Sequence, residues 1–123
     1  MAKYDRSKGL ALFDEVYCKD LGTLPPAGSS RFIDYMLETL FAELWADETL
    51  SIRDRRLLLI GAIASQGDEA TMRIQLRSAL KRGDLKKEQL EAMAVFLTQY
   101  VGYPKGSAVF RIVNEVLAAP AGK

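Results

Sequence analysis

The chain has 123 residues, of which 49% are hydrophobic, and its formal net charge is +1. A chain of this length and apolar content is expected to fold as one domain that buries its core without disulfides. The near-zero net charge gives no reason to expect nucleic acid or an acidic membrane as a partner. The lone cysteine, Cys18, rules out a disulfide within the chain and suits a reducing cytoplasm.

The most informative count is that of histidine, which is zero. Ser-His and Cys-His nucleophile pairs and histidine metal sites are therefore excluded within this chain. No metal and no cofactor are predicted. The longest strongly apolar run, "LLLIGAIA", is too short to cross a bilayer, and the charged N-terminus does not resemble a secretory signal. A cytoplasmic protein without a membrane partner is expected.

Hydrophobic periodicity predicts an all-α fold with six helices and no strand. The first helix covers roughly residues 4–20, and the Pro- and Gly-containing "GTLPPAGSS" segment follows it. Residues 1–28 thus form an N-terminal helix and linker. Residues 29–119 form the helical core of a single domain that covers 1–123.

The second helix is predicted to begin after Ser29 or Ser30, either of which can cap it, and to end near Trp45. Its apolar positions follow an α-helical spacing. They are Ile33, Met36, Leu37, Leu40 and Leu44.

The third helix, which ends near Gln66, is apolar almost all round over 57–64. It should be covered on all sides, which hints at self-association because six short helices give limited cover. The fourth helix begins after Asp68 and runs to about Lys81, with Gln75 on its apolar face. The last two helices carry apolar stripes on either side of "VGYP". The stripes are Leu90, Met93, Ala94, Leu97, Tyr100 and Val101, then Ala108, Val109, Ile112, Val113, Val116 and Leu117.

Four blocks between residues 41 and 117 resemble the carboxymuconolactone decarboxylase family, which includes the alkylhydroperoxidase-type proteins. The blocks are "FAELW", "LSIRDRRLLLIGAIASQG", "ALKRG" and "YVGYP", in matching order and spacing. The resemblance implies an alkylhydroperoxidase-like helical bundle that assembles into homotrimers or homohexamers. It also implies active pockets near the contacts between subunits.

The two branches of the family differ in their chemistry. The peroxidase branch carries a CxxC, a histidine and a glutamate, and the matching positions here are Asp68, Thr71, Gln75 and Arg56. Thiol peroxidase activity is therefore not expected, since the thiolates are missing. The decarboxylase branch acts on a lactone carboxylic acid and usually has a histidine at the position of Gln75. It also usually has an Arg-Pro pair where this chain has "ADETL".

The candidate site residues follow from these positions. Glu43 is the candidate for proton transfer, and Gln75 can orient a carboxylate or carbonyl, although an amide cannot shuttle a proton at neutral pH. Arg53 or Arg56 can bind an anion through its guanidinium fork. Trp45 and Tyr103 are candidates for the pocket wall. Each has a structural alternative, namely a satisfied core amide, a solvated carboxylate, a salt bridge or a core aromatic.

Two hypotheses remain open, and the interpretation leans toward an enzyme. The first is cofactor-free lyase or isomerase chemistry on a small carboxylate-bearing molecule, such as a lactone from aromatic degradation. The second is a non-catalytic oligomer that binds a metabolite or a protein.

Overall fold

Six helices are present among residues 5–119, the part of the chain that this computed structural model describes. They are α1 (Arg6–Tyr17), α2 (Arg31–Tyr35, continued by a π-helical segment, Met36–Trp45), α3 (Ile52–Gln66), α4 (Glu69–Arg82), α5 (Lys87–Val101) and α6 (Tyr103–Ala118). No strand occurs in that range, which confirms the all-α prediction. The chain divides between Ile52 and Arg53 into two compact units.

Local side-chain chemistry sets several helix ends. The hydroxyl of Ser30 accepts a hydrogen bond from the Ile33 amide (3.3 Å) and caps α2 as predicted. The predicted Asp68 cap of α4 is also confirmed. Helix α1 ends at Tyr17, before the predicted residue 20, because Cys18 adopts a left-handed conformation with φ 56°. The predicted start of α1 at residue 4 lies outside the described residues.

Aromatic packing between α1 and the π-helical segment forms the core of the first unit. Phe13 contacts Phe41 edge to face, with ring centroids 5.2 Å apart, and Phe41 stacks on Trp45 at 5.7 Å. The two helices approach closely because α1 has Gly9 at the crossing. A Cβ atom at Gly9 would lie 1.9 Å from the carbonyl oxygen of Leu37.

The predicted apolar stripe of the second helix is wrong in part. Leu40 and Leu44 are 41% and 49% exposed, whereas Phe41 and Trp45 are buried. The reason is the winding, since i→i+5 bonding advances the buried face farther per turn than an α-helix does. Residues four and five apart then face the core, as Leu37, Phe41, Ala42 and Trp45 do.

The second unit has an aliphatic core contributed by α3, α4, α5 and α6. The stripe of α6 is buried as predicted, with Leu117 partly exposed. Leu58 of α3 is 66% exposed, so the single chain does not cover that helix on all sides, and its cover by self-association stays a prediction. One expectation is wrong, since Tyr100 of α5 is 78% exposed. Tyr100 lies outside the stripe because the core-facing row of α5 is Leu90, Ala94 and Thr98.

Candidate functional site

Gln75 and Arg56 lie together inside the second unit. The Nη1 group of Arg56 on α3 donates a hydrogen bond of 3.1 Å to Oε1 of Gln75 on α4. Gln75 is 1% exposed and Arg56 is 0% exposed. Their sequence positions predicted a substrate contact, but in the single chain neither side chain reaches solvent.

A carboxylate of the chain itself completes this cluster. The Nε group of Arg56 donates to Oδ2 of Asp84 at 3.1 Å, and Arg82 pairs with Oδ1 of the same carboxylate. Arg53 donates from Nε to the backbone oxygen of Asp84 at 3.0 Å. We call Arg56, Gln75 and Asp84 the polar cluster.

The backbone after α4 holds Asp84 in place. Gly83 ends the helix with φ 82°, a conformation that favours glycine. The amides of Asp84 and Leu85 then both donate to the carbonyl oxygen of Ala79, at 2.9 and 3.3 Å. Leu85 is 3% exposed in the core, so the turn is anchored on both sides of the carboxylate.

The polar cluster is better suited to stabilising the fold than to transferring a proton. A buried guanidinium needs a counter-charge and hydrogen-bond acceptors, and Asp84 and Gln75 supply them. Neither an amide nor a guanidinium acts as a proton donor or acceptor in acid–base catalysis near neutral pH. Arg56, which was predicted to hold a substrate carboxylate, thus binds a carboxylate of its own chain, and Gln75 accepts a hydrogen bond from the same guanidinium.

The other two positions that match the peroxidase residues form the cap of α4. The Thr71 amide donates to Oδ1 of Asp68 at 3.1 Å, and the Thr71 hydroxyl donates to Oδ2 at 2.6 Å. These hydrogen bonds, the one from the Thr71 side chain first, hold the pKa of Asp68 below its usual value. The carboxylate therefore stays ionised at the N-terminus of α4, where a negative charge is stabilising.

Trp45 lies in the first unit, beside an open cavity of about 440 Å³. Its single cationic group is Lys8, and its acidic groups are Glu15, Asp47 and Glu48. The full lining is Lys8, Ala11, Leu12, Glu15, Trp45, Ala46, Asp47, Glu48, Leu50, Ser51 and Ile52. This volume is in the range of small-molecule sites.

The remaining predicted residues lie elsewhere in their units. Glu43 is partly buried on the π-helical segment and does not line the cavity beside Trp45. Tyr103 is 70% exposed and lines a separate groove between α5 and α6. All six therefore remain predictions as site residues: Glu43, Gln75, Arg53, Arg56, Trp45 and Tyr103. Three of them are connected in the second unit, where Arg53 and Arg56 both donate to Asp84 and Arg56 also donates to Gln75.

Sequence reasoning missed Asp84 and Lys8. Asp84 follows the glycine that ends α4, but it lies 28 residues from Arg56, and no pattern in the sequence links the two. Lys8 resembles any exposed lysine of an amphipathic helix. Neither position carried a signal that would have identified it.

Among residues 5–119, no group of three or more histidine, cysteine, aspartate or glutamate side chains is arranged to hold a metal ion. The helices of that range are also too short or too polar to cross a membrane.

These features define an all-α protein with a buried arginine–amide–carboxylate cluster in its second unit. The model of the carboxymuconolactone decarboxylase family matches residues 31–115, which is more than half of the chain. The chain belongs to the carboxymuconolactone decarboxylase family. It matches no curated protein and no solved structure.

Proposed function

We propose that this chain is a non-catalytic member of its family that binds a small carboxylate-bearing molecule. The observation that carries the proposal is the bonding of the polar cluster, in which the buried Arg56 donates hydrogen bonds both to Asp84 and to the buried Gln75. A substrate would have to break these bonds and displace an anchored turn before it touched either side chain. Breaking a buried ion pair of this kind costs several kcal/mol.

The cavity beside Trp45 is the binding site that we propose. Its one ammonium group, on Lys8, can bind a single carboxylate, and the indole ring offers an apolar wall. The three carboxylates on the rim disfavour a ligand with several negative charges. The expected ligand is therefore a monocarboxylate with an apolar or aromatic body.

The chain contains one tryptophan, so its fluorescence reports directly on this cavity. We expect a saturable change in Trp45 emission when small aromatic and aliphatic monocarboxylates are titrated. Lys8→Gln should weaken binding about tenfold or more, as expected for loss of a charged contact. Lys19→Gln, at an exposed lysine that lines a different cavity, should leave binding unchanged. No emission change across the series, or equal effects of the two variants, would overturn the proposal.

The second candidate is cofactor-free lyase or isomerase chemistry, which the family match favours. Decarboxylation would break the bond between a substrate carbon and its carboxylate, release carbon dioxide and leave an electron pair on a carbon conjugated with a carbonyl. A proton delivered by Glu43 or water would then neutralise that carbon. An arginine would hold the substrate anion, and Gln75 would orient it after the polar cluster had opened.

Turnover of lactone carboxylic acids separates the two candidates. The non-catalytic proposal expects no release of carbon dioxide and no isomerised product above the uncatalysed rate. Turnover that is lost in both Gln75→Ala and Glu43→Ala, with the helical content retained, would establish the enzyme instead.

A further inference from the structure

A second cavity of the first unit lies between α1 and the segment that follows it. One face of α1 contributes Arg6, Leu10 and Asp14, which are spaced four residues apart, and residues 19–26 form the opposite wall. The cavity has a volume of about 420 Å³, which is in the range of small-molecule sites. All of its lining residues precede residue 31, where the match to the family begins. The cavity is therefore built from a part of the chain outside that match.

The wall segment is fastened to α1 at both ends. After α1, Cys18 and Lys19 both adopt the left-handed conformation, with φ 56° and 59°, and the Lys19 amide donates to the carbonyl oxygen of Asp14 at 3.1 Å. At the other end, Arg6 donates from Nη2 to the carbonyl oxygen of Pro25 at 2.8 Å. Because these contacts hold the wall, the cavity is formed before a ligand enters, which lowers the entropic cost of binding.

Three charged side chains line this cavity, and one of them is already neutralised. Arg6 donates from Nε to Oδ1 of Asp34 at 2.8 Å. Among residues 5–119, the Asp14 carboxylate and the Lys19 ammonium form no hydrogen bond or ion pair with another protein group. The bond between the Lys19 amide and the Asp14 carbonyl brings the two residues close together. The cavity thus presents one carboxylate and one ammonium group to a ligand, on adjoining parts of its wall.

The rest of the lining is mainly apolar. Leu10 and Leu24 are partly buried, and Pro25 and Pro26 lack the backbone N–H that could bind a polar group. Along the axis of α1, Asp14 lies about 6 Å from Leu10, since four residues rise by one turn. The two charged groups and the apolar wall are therefore within reach of a single small molecule that carries both charges next to an apolar body.

We propose that this cavity binds a free α-amino acid with an apolar side chain. The ligand ammonium pairs with the Asp14 carboxylate, the ligand carboxylate pairs with the Lys19 ammonium, and the ligand side chain packs on Leu10 and Leu24. A monocarboxylate without an amino group faces the Asp14 charge with no counter-charge of its own, so it is disfavoured here. The proposal concerns a different cavity from that beside Trp45 and does not depend on the ligand proposed for it.

Isothermal titration calorimetry with L-leucine and L-phenylalanine tests the site. The full chain carries Lys8→Gln, so that binding in the cavity beside Trp45 is weakened and the heat reports on this cavity. The analogues 4-methylpentanoate and 3-phenylpropanoate lack the ammonium group, and 3-methylbutylamine and 2-phenylethylamine lack the carboxylate. We expect saturable binding of the amino acids and at least tenfold weaker binding of each analogue, because one charged contact is lost. No saturable heat with either amino acid, or equal binding of the amino acids and the analogues, would overturn the proposal.

Substitutions in the same background assign the two charges. Asp14→Asn should weaken the binding of leucine tenfold or more and should reduce its preference over 4-methylpentanoate, which a merely structural role of Asp14 would leave unchanged. Lys19→Gln should weaken the binding of leucine to a similar extent. The control is Glu91→Gln, at an exposed carboxylate of α5, which should change neither the affinity nor the preference. An unchanged preference in Asp14→Asn, with the helical content retained, would overturn the assignment.

Backbone amide chemical shifts locate the bound amino acid. Leucine added to the isotopically labelled wild-type chain should shift the amides of residues 19–24, whereas the emission of Trp45 should stay constant. Shifts confined to residues 45–52, together with a change in Trp45 emission, would place leucine in the other cavity. That result would overturn the amino-acid site and leave the monocarboxylate proposal standing.

Discussion

The two units of the chain are stabilised by different kinds of interaction. Four aromatic rings in edge-to-face and stacked contacts fill the first unit, and the central ring is that of Phe41. The second unit combines an aliphatic core with one buried ion pair, Arg56 with Asp84. Removing apolar area from packed rings destabilises the fold in proportion to the area removed. Removing one partner of a buried ion pair has a large cost in a single step, because it leaves a poorly compensated buried charge. The second unit should therefore tolerate less change at its centre than the first.

The largest expected effect is that of Arg56→Ala. It removes the fully buried one of the two guanidinium groups that pair with the Asp84 carboxylate, which is 5% exposed, so that only Arg82 still pairs with it. The variant should reduce the free energy of unfolding by roughly 3–5 kcal/mol. Urea unfolding followed by circular dichroism measures the loss. Arg111→Ala, at an exposed arginine 3.7 Å from Glu69, is the control and should change stability by less than about 0.5 kcal/mol. A loss below about 1 kcal/mol for Arg56→Ala would remove the contrast between the units.

The next largest expected loss of stability is that from replacing the Gln75 side-chain amide. Gln75→Leu keeps the apolar bulk but leaves one Arg56 donor without its acceptor, and should cost about 1–3 kcal/mol in the same unfolding experiment. Gln75→Glu restores an acceptor and a favourable charge for the guanidinium, so it should be less destabilising at neutral pH. If the leucine variant proves as stable as the wild-type chain, the hydrogen bond is not what keeps Gln75 in the core.

A smaller loss is expected for Phe41→Leu in the first unit. Leucine retains most of the apolar volume but removes three ring contacts, so we expect a cost of roughly 1–2 kcal/mol. Phe32→Leu, at an exposed ring, is the control and should have little effect. A cost for Phe41→Leu that equals that of Arg56→Ala would show that the aromatic core is no more tolerant than the polar cluster.

The smallest expected effect concerns a surface ion pair, and it tests whether such pairs contribute to the difference in stability between the two units. Arg73 donates from Nε and Nη2 to Glu115, at 2.7 and 3.3 Å, and this contact lowers the pKa of Glu115, mainly through hydrogen bonding. A lowered pKa in the folded state means that the stabilisation is present above the unfolded pKa of about 4.3. It is lost as the pH falls through the lower folded value.

The melting temperature of Glu115→Gln, followed from neutral pH to acid, should therefore converge with that of the wild-type chain as the pH falls. Glu91→Gln on the exposed face of α5 is the matched control. A constant difference between Glu115→Gln and the wild-type chain at every pH would exclude a contribution from ionisation.

Local signals predicted the features of the fold that depend on a few neighbouring residues. Ser30 and Asp68 cap their helices because a side-chain oxygen needs only an amide three residues ahead. The stripe of α6 and the burial of Gln75 followed from helical spacing. The winding of the π-helical segment could not be predicted, because its apolar residues fit an α-helical stripe equally well in the sequence.

The partners within the polar cluster could not be predicted either. Burial of Gln75 indicates that its amide must be bonded, but not to which group. The contact between Asp84 and Arg56 depends on the turn at Gly83 and on the packing within the second unit, since the two residues are 28 positions apart in the sequence. The identity of a buried partner distant in sequence is a property of tertiary structure.

Gly9 has a consequence for how sequence variation in this chain should be interpreted. Because a single methyl group there would collide with the Leu37 carbonyl, the spacing between the first two long helices is fixed by a missing side chain. A homologue with alanine at this position must hold those helices farther apart, and its aromatic rings would then meet at other distances. The residue at position 9 therefore indicates whether the ring geometry of this chain can be transferred to a homologue.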